Sequence, residues 1–132
     1  MRTFEDNPQD WYMLAFERLK AADAVFDSFG NATFSVVELL HEAVERFLKG
    51  FLIAHGWKLK RTHNLVDLIV DAQEFDPQIS SLKLMAESLT EQFFAQHYPG
   101  SDLAELGADY AMLRQETDRL LTLIGLKNPD QD

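Results

Sequence analysis

The residues in this 132-residue chain best able to do chemistry are four histidines and a short run of cations. The stretch "KLKRTHNLVDLI", residues 58–69, sets Lys58, Lys60 and Arg61 directly before His63. Cations beside an imidazole suit phosphate. Lysine and arginine donate charge-assisted hydrogen bonds, and an imidazole with a reference pKa near ~6.5 can gain a proton there. The same residues also have a plainer reading. Thr62 or Asn64 can cap a following helix, with Asp67 in its first turn complementing the dipole, and His63 is then only a flanking residue.

Metal chemistry finds half a motif. Glu38-Leu39-Leu40-His41 has the Glu-x-x-His spacing used twice in carboxylate-bridged di-iron bundles. A second copy is missing, because Leu52, Lys60 and Phe94 stand three residues before His55, His63 and His97. "HEAVE", residues 41–45, is similar to a zinc-protease helix, but Glu45 stands where the second histidine belongs. Glu38, Glu42 and Glu45 fit the polar side of an amphipathic helix. Neither a metal nor another cofactor is expected. The chain has no cysteine, which excludes disulfides, thiolate metal sites and cysteine nucleophiles. It also has no G-x-S-x-G elbow and no glycine-rich phosphate loop, so no catalytic residue is assigned. Phosphate binding would rest on basic side chains and helix N-terminal amides.

The elements that position these residues are helices. From Pro8 to about Phe29, the residues Tyr12, Ala15, Leu19, Ala22, Phe26 and Phe29 recur at spacings of three and four, one helical face. A second helix, about Thr33 to His55, carries a wide stripe of Val36, Val37, Leu40, Val44, Phe47, Leu48 and Phe51. Glu42 with Arg46, and Glu45 with Lys49, are i,i+4 pairs in the favourable order. Gly56 closes it. A short third helix runs from about Asn64 to Phe75, and Asp76-Pro77 breaks it. The fourth covers about Pro77 to Gln96 and the fifth about Asp102 to Leu126, with "HYPGSD" as the turn between them. No segment reads as a strand. The expected fold is all-α: an antiparallel up-and-down four-helix bundle with an additional short helix, five in all.

Composition bounds the rest. The length fits one domain spanning 1–132, with residues 1–7 and 127–132 expected to fray, and 46% hydrophobic residues are enough for a sizeable core. The net charge of −10 disfavours bulk capture of nucleic acid. The opening "MRTFEDNPQDWYML" places acidic and polar residues where a secretory signal needs an apolar core. No apolar run is long enough to span a bilayer, so the expected location is cytoplasmic and away from membranes.

Helix two, "HEAVERFLKGFLIAHGW", followed by "KRTHNLVDLI", resembles the HEPN family, the higher eukaryotes and prokaryotes nucleotide-binding domain. Members carry an Ala-x-Glu-Lys-x-x-Lys-Ala pattern, occupied here by Ala43, Glu45, Arg46, Lys49 and Gly50. A Thr-His-Asp-Leu pattern follows, occupied by Thr62, His63, Asn64 and Leu65. "LKAADAVFDSFG" suits the family's first helix, and "HYPG" at 97–100 falls where many members have Arg-Tyr-Pro. The likeness runs from about Leu19 to Leu120. Three departures bear on chemistry. Arg46 keeps a lysine's charge without its geometry, Asn64 removes the carboxylate that would orient His63, and His97 replaces an arginine at the turn.

The resemblance implies an antiparallel helical bundle, a nucleotide ligand, a minimal nucleotidyltransferase as partner in a toxin–antitoxin-like pair, and a homodimer. The site it implies is Lys49, Arg61 and His63, with Glu45 and Tyr98 as further candidates. For Lys49 the plain alternative is a helix-surface salt bridge to Glu45. Other members are metal-independent ribonucleases carrying Arg-x4–6-His. That signature is absent here, since Thr90, Glu91 and Gln92 precede His97, and Gly56, Trp57 and Lys58 precede His63. The expected reading is a non-catalytic binding domain. A dimeric ribonuclease is one alternative; the other is an interaction module using an apolar edge of Trp11, Leu14 and Val25.

Overall fold

The computed structural model describes residues 2–95, 99–100 and 103–128, and side chains throughout these except at 103–109. The chain runs through α1 (Pro8–Phe29), α2 (Phe34–Ala54), α3 (Leu65–Ala72), a 3-10 helix (Pro77–Leu82), α4 (Lys83–Ala95) and α5 (Leu103–Leu123). The four long helices form the bundle and α3 occupies the connection between α2 and α4, as expected from the periodicity.

Local chemistry sets the helix ends. Pro8 opens α1 behind Asn7, whose side chain accepts from the Gln9 amide, and Gly30 closes it with φ 71° and an N–H that donates a hydrogen bond to the Phe26 carbonyl. Thr33 caps α2 through the Val36 amide. Asn64 caps α3, its Oδ1 accepting from Val66 at 2.9 Å and from Asp67 at 3.4 Å. The orphan amide of Leu65 is taken by the buried hydroxyl of Thr90, at 3.3 Å.

Two expectations change. The fourth helix begins as a 3-10 helix, because Asp76 caps the Gln78 amide and Pro77 starts a tight turn that becomes α-helical only at Lys83. Phe29 was expected on the buried face of α1 but is 68% exposed, since the helix stops there and its side chain overhangs the end. The remaining α1 stripe holds: Tyr12, Ala15, Leu19 and Ala22 are buried, while Phe26 is half-buried and stacks on Tyr110.

The core is centred on α2, which buries thirteen of its residues. Leu40, Val44, Phe47, Leu48 and Leu52 are fully buried. Burying such a side chain stabilises by roughly 1.5–3 kcal/mol relative to leaving it exposed. Gly50 brings α1 close: a Cβ there would stand 2.6 Å from Tyr12 Cε1 and 3.0 Å from Trp11 Cβ. Trp11, Leu14 and Val25 are half-buried rather than a free edge. Trp11 donates its Nε1–H to the Glu5 carbonyl, and Val25 packs on the core. α1 is tied to α5 by Arg114, which makes two bonds to the Asp23 carboxylate, at 2.8 and 3.0 Å, and a third to Asp118 at 2.6 Å.

Candidate functional site

α2 buries more than apolar residues. His41, Glu45 and Lys49 stand one helical turn apart on a single row, and all three are buried. The expected polar face of Glu38, Glu42 and Glu45 is therefore split, with Glu45 turned inward. Lys49 Nζ donates to Glu45 Oε2 at 3.1 Å and lies 5.8 Å from the centre of the Trp11 ring. The pair is no surface salt bridge, because the side chains are only 5% and 7% exposed.

The other oxygen of the same carboxylate faces His63. His63 Nδ1 lies 2.9 Å from Glu45 Oε1, although its side chain is 66% exposed. An ionised carboxylate only accepts, so Nδ1 carries the proton and donates it, and Nε2 is the ring nitrogen left to accept. The orienting carboxylate that Asn64 lacks is supplied from α2. Asn64 is the cap, as the plainer reading of "RTHN" has it, and His63 beside it contacts a buried carboxylate.

His41 completes the cluster from below. Its ring is fully buried, stacks on Phe93 with centroids 4.2 Å apart, and makes no hydrogen bond through either nitrogen. The His63 backbone carbonyl faces it without hydrogen-bond geometry. Burial pushes the His41 pKa down to about 4, against the opposing pull of the Glu45 charge. The ring is therefore neutral near pH 7, and its 4.0 Å approach to Glu45 is a polar contact rather than an ion pair.

Glu38, His41, Glu42, Glu45, Arg46, His63 and Phe93 enclose a pocket of about 90 Å³ that opens to solvent. Its charges nearly cancel. Glu45 is met by Lys49, and Glu42 by Arg18 at 3.0 Å, which leaves Glu38 against Arg46. Arg46 does not pair with the Glu42 carboxylate as expected; it donates to the Glu42 backbone carbonyl at 3.1 Å. A larger cavity of about 330 Å³, lined by Met13, Phe16, Leu19 and Asn128 among others, contains none of the candidate residues.

Among the expected site residues, Glu45, Lys49 and His63 come together. Arg61 does not join them: it is 78% exposed and bonds Glu5 at 2.8 Å. Tyr98 and its neighbour His97 lie outside the described residues. Sequence reading missed His41 and Phe93 as partners of this cluster. The 41/45/49 spacing was a usable signal for His41, whereas nothing local marks Phe93, which arrives from α4. Among the described residues no group of three or more His, Asp or Glu side chains is arranged to hold a metal ion.

Comparison with known proteins agrees with the motifs and the bundle. No curated protein and no solved structure matches the chain. The HEPN domain profile matches residues 8–122, a span that takes in every described residue of the cluster. With that span covering nearly the whole helical bundle, the chain belongs to the HEPN family.

Proposed function

We propose that this HEPN domain is a non-catalytic nucleotide-binding module whose phosphate-recognising group is His63, set on Glu45 and Lys49 at the mouth of the His41 pocket. The single observation that carries the reading is the buried Glu45–Lys49 pair holding an exposed imidazole. Removing two charges from water contributes little to net stability, and titratable groups so placed in a cleft mark functional sites. His63 and Arg46 both line the pocket. With Glu42 met by Arg18 and Glu45 by Lys49, Arg46 is the cation left in the pocket lining for an anion. A volume of about 90 Å³ corresponds to roughly three waters, so it admits a phosphate and leaves base and sugar over the rim. Arg61 can join by releasing Glu5, since an exposed ion pair is worth at most about 1 kcal/mol.

In this reading the physiological partners are a minimal nucleotidyltransferase in a toxin–antitoxin-like pair and a second copy of the chain, and the setting is the cytoplasm. What supports them is family membership, together with the absence, among the described residues, of a helix able to cross a membrane.

Calorimetric titration with ATP and GTP tests the site, comparing wild type with His63→Ala and Arg46→Ala. Saturable binding that weakens about tenfold or more in both variants is the expected result. No saturable binding by the wild type refutes the reading. One observation favours a second reading, ribonuclease: an imidazole oriented by a carboxylate, with its outer nitrogen free, is the arrangement of a general acid–base. RNA cleavage in chelator that disappears in His63→Ala would establish it in place of simple binding.

A further inference from the structure

The cavity of about 330 Å³ lies between α1 and the chain that follows α5, and it shares no lining residue with the His63 pocket. Local geometry builds it. Met13, Phe16, Glu17 and Lys20 recur at helical spacing, which places them on one face of α1. Gly125, at φ 78°, ends α5, with the Leu126 amide donating to the Leu121 carbonyl at 2.8 Å. The chain that turns there brings Asn128, itself buried, into the lining. The apolar wall is anchored in the core: Leu19 is buried, and Phe16 packs edge-on against Phe47 with centroids 4.9 Å apart. The volume corresponds to roughly eleven waters. That is the lower end of the range for small-molecule sites, which are mostly apolar with a few polar groups that fix orientation.

The charges around it narrow the ligand. Asp23 is already met by Arg114, at 2.8 and 3.0 Å. Glu17 and Lys20 are exposed, and neither has an ion pair or a side-chain hydrogen bond among the described residues. They stand three residues apart on α1, where side chains are neighbours, yet do not pair with each other. One free carboxylate and one free ammonium therefore sit side by side at an apolar cavity. An anionic amphiphile meets Glu17 and a chain of net charge −10. A cationic one meets Lys20. A molecule with both charges on one carbon and an apolar chain beyond it is neutral overall and complements both groups.

We propose that this cavity binds a free α-amino acid whose side chain is apolar and of leucine, methionine or phenylalanine size. Its ammonium donates to the Glu17 carboxylate, Lys20 donates to its carboxylate, and its side chain lies against Met13, Phe16 and Leu19. Such a ligand has about nine to twelve non-hydrogen atoms, which the volume accommodates. Because the two cavities share no residue, amino-acid binding here and phosphate binding at His63 are tested separately.

Titration of the isotope-labelled full chain with L-leucine and L-methionine, followed through amide chemical shifts, tests the site. Saturable shifts clustered at residues 13–23 and at Asn128 are expected, with a Kd in the high micromolar to millimolar range for so small a ligand. Glu17→Gln and Lys20→Gln should each weaken binding about threefold to tenfold with helical content unchanged. Glu91→Gln, at an exposed carboxylate on α4, should not. N-acetyl-leucine, which lacks the ammonium, should bind more weakly and be indifferent to Glu17→Gln. Leucinamide, which lacks the carboxylate, should bind more weakly and be indifferent to Lys20→Gln. No saturable shifts from either amino acid up to its solubility, or shifts confined to another part of the bundle, overturn the proposal. Binding that ignores both variants overturns it as well. Hexylamine or hexanoate binding as tightly as leucine overturns it in favour of a plain amphiphile of that charge.

Discussion

At the scale of single residues, Glu45 governs the site, because one buried carboxylate holds Lys49 on one oxygen and His63 on the other. Removing one partner of a buried pair leaves an uncompensated charge. Lys49→Met is therefore expected to destabilise the fold by about 3–5 kcal/mol, and Glu45→Gln by a comparable amount. The double variant should recover most of the loss, which a double-mutant cycle in urea would read directly. His41 makes a prediction in pH. Its pKa is about 4 when folded, against an ordinary value of 6.5 for a free imidazole side chain. Between those values the unfolded chain binds more protons than the folded protein. Stability therefore rises with pH across this window, is complete above it, and is lost as pH falls through it. The loss is on the order of 3 kcal/mol. His41→Phe, which keeps a ring against Phe93, should flatten the dependence of the urea midpoint between pH 4 and 6.5. Glu45, His63 and Arg46 are the charged or titratable groups that act on the same ring.

At the scale of elements, the closeness of α1 and α2 depends on one missing side chain. Gly50 lies mid-helix, where alanine would gain about 1 kcal/mol of helix propensity. Its Cβ, however, would meet the Tyr12 ring at 2.6 and 2.8 Å. Overpacking costs about 1–3 kcal/mol, so Gly50→Ala is expected to be net destabilising and to displace Tyr12. Thermal unfolding with near-ultraviolet circular dichroism would detect both effects. The same packing positions the site, because Trp11 at this contact lies over Lys49. The helices were legible beforehand, since their apolar spacing and caps are local: Pro8, Gly30, Asn64 and Asp76 each act within a turn of themselves. The 3-10 start at Pro77 was not, because it depends on the Asp76 cap and on where Ile79 and Leu82 meet the core.

At the scale of the whole molecule, closure depends on contacts far apart in sequence. Arg114 and Asp23 are 91 residues apart and tie the first helix to the last. Bonds to a charged group contribute roughly 1.5–3 kcal/mol when buried. Asp23 and Asp118 are about 40% exposed, so solvent screening reduces the expected loss for Arg114→Ala to about 1 kcal/mol. Arg114→Lys should recover only part of it, because lysine cannot make the two-pronged contact. Urea denaturation of both variants would check this. The sequence by itself determined the helix count, the caps, the poverty of metal and nucleophile motifs, and the family, since each is written in local spacing or composition. Only the tertiary structure decided that Glu45 faces inward, that Lys49 is buried, that His63 rests on Glu45, and that Arg61 turns to Glu5 instead. The reason is that a helix shows its neighbours only relative angles along one chain. Which polar row of α2 becomes interior depends on where α1, α4 and the α3 connection come to lie around it.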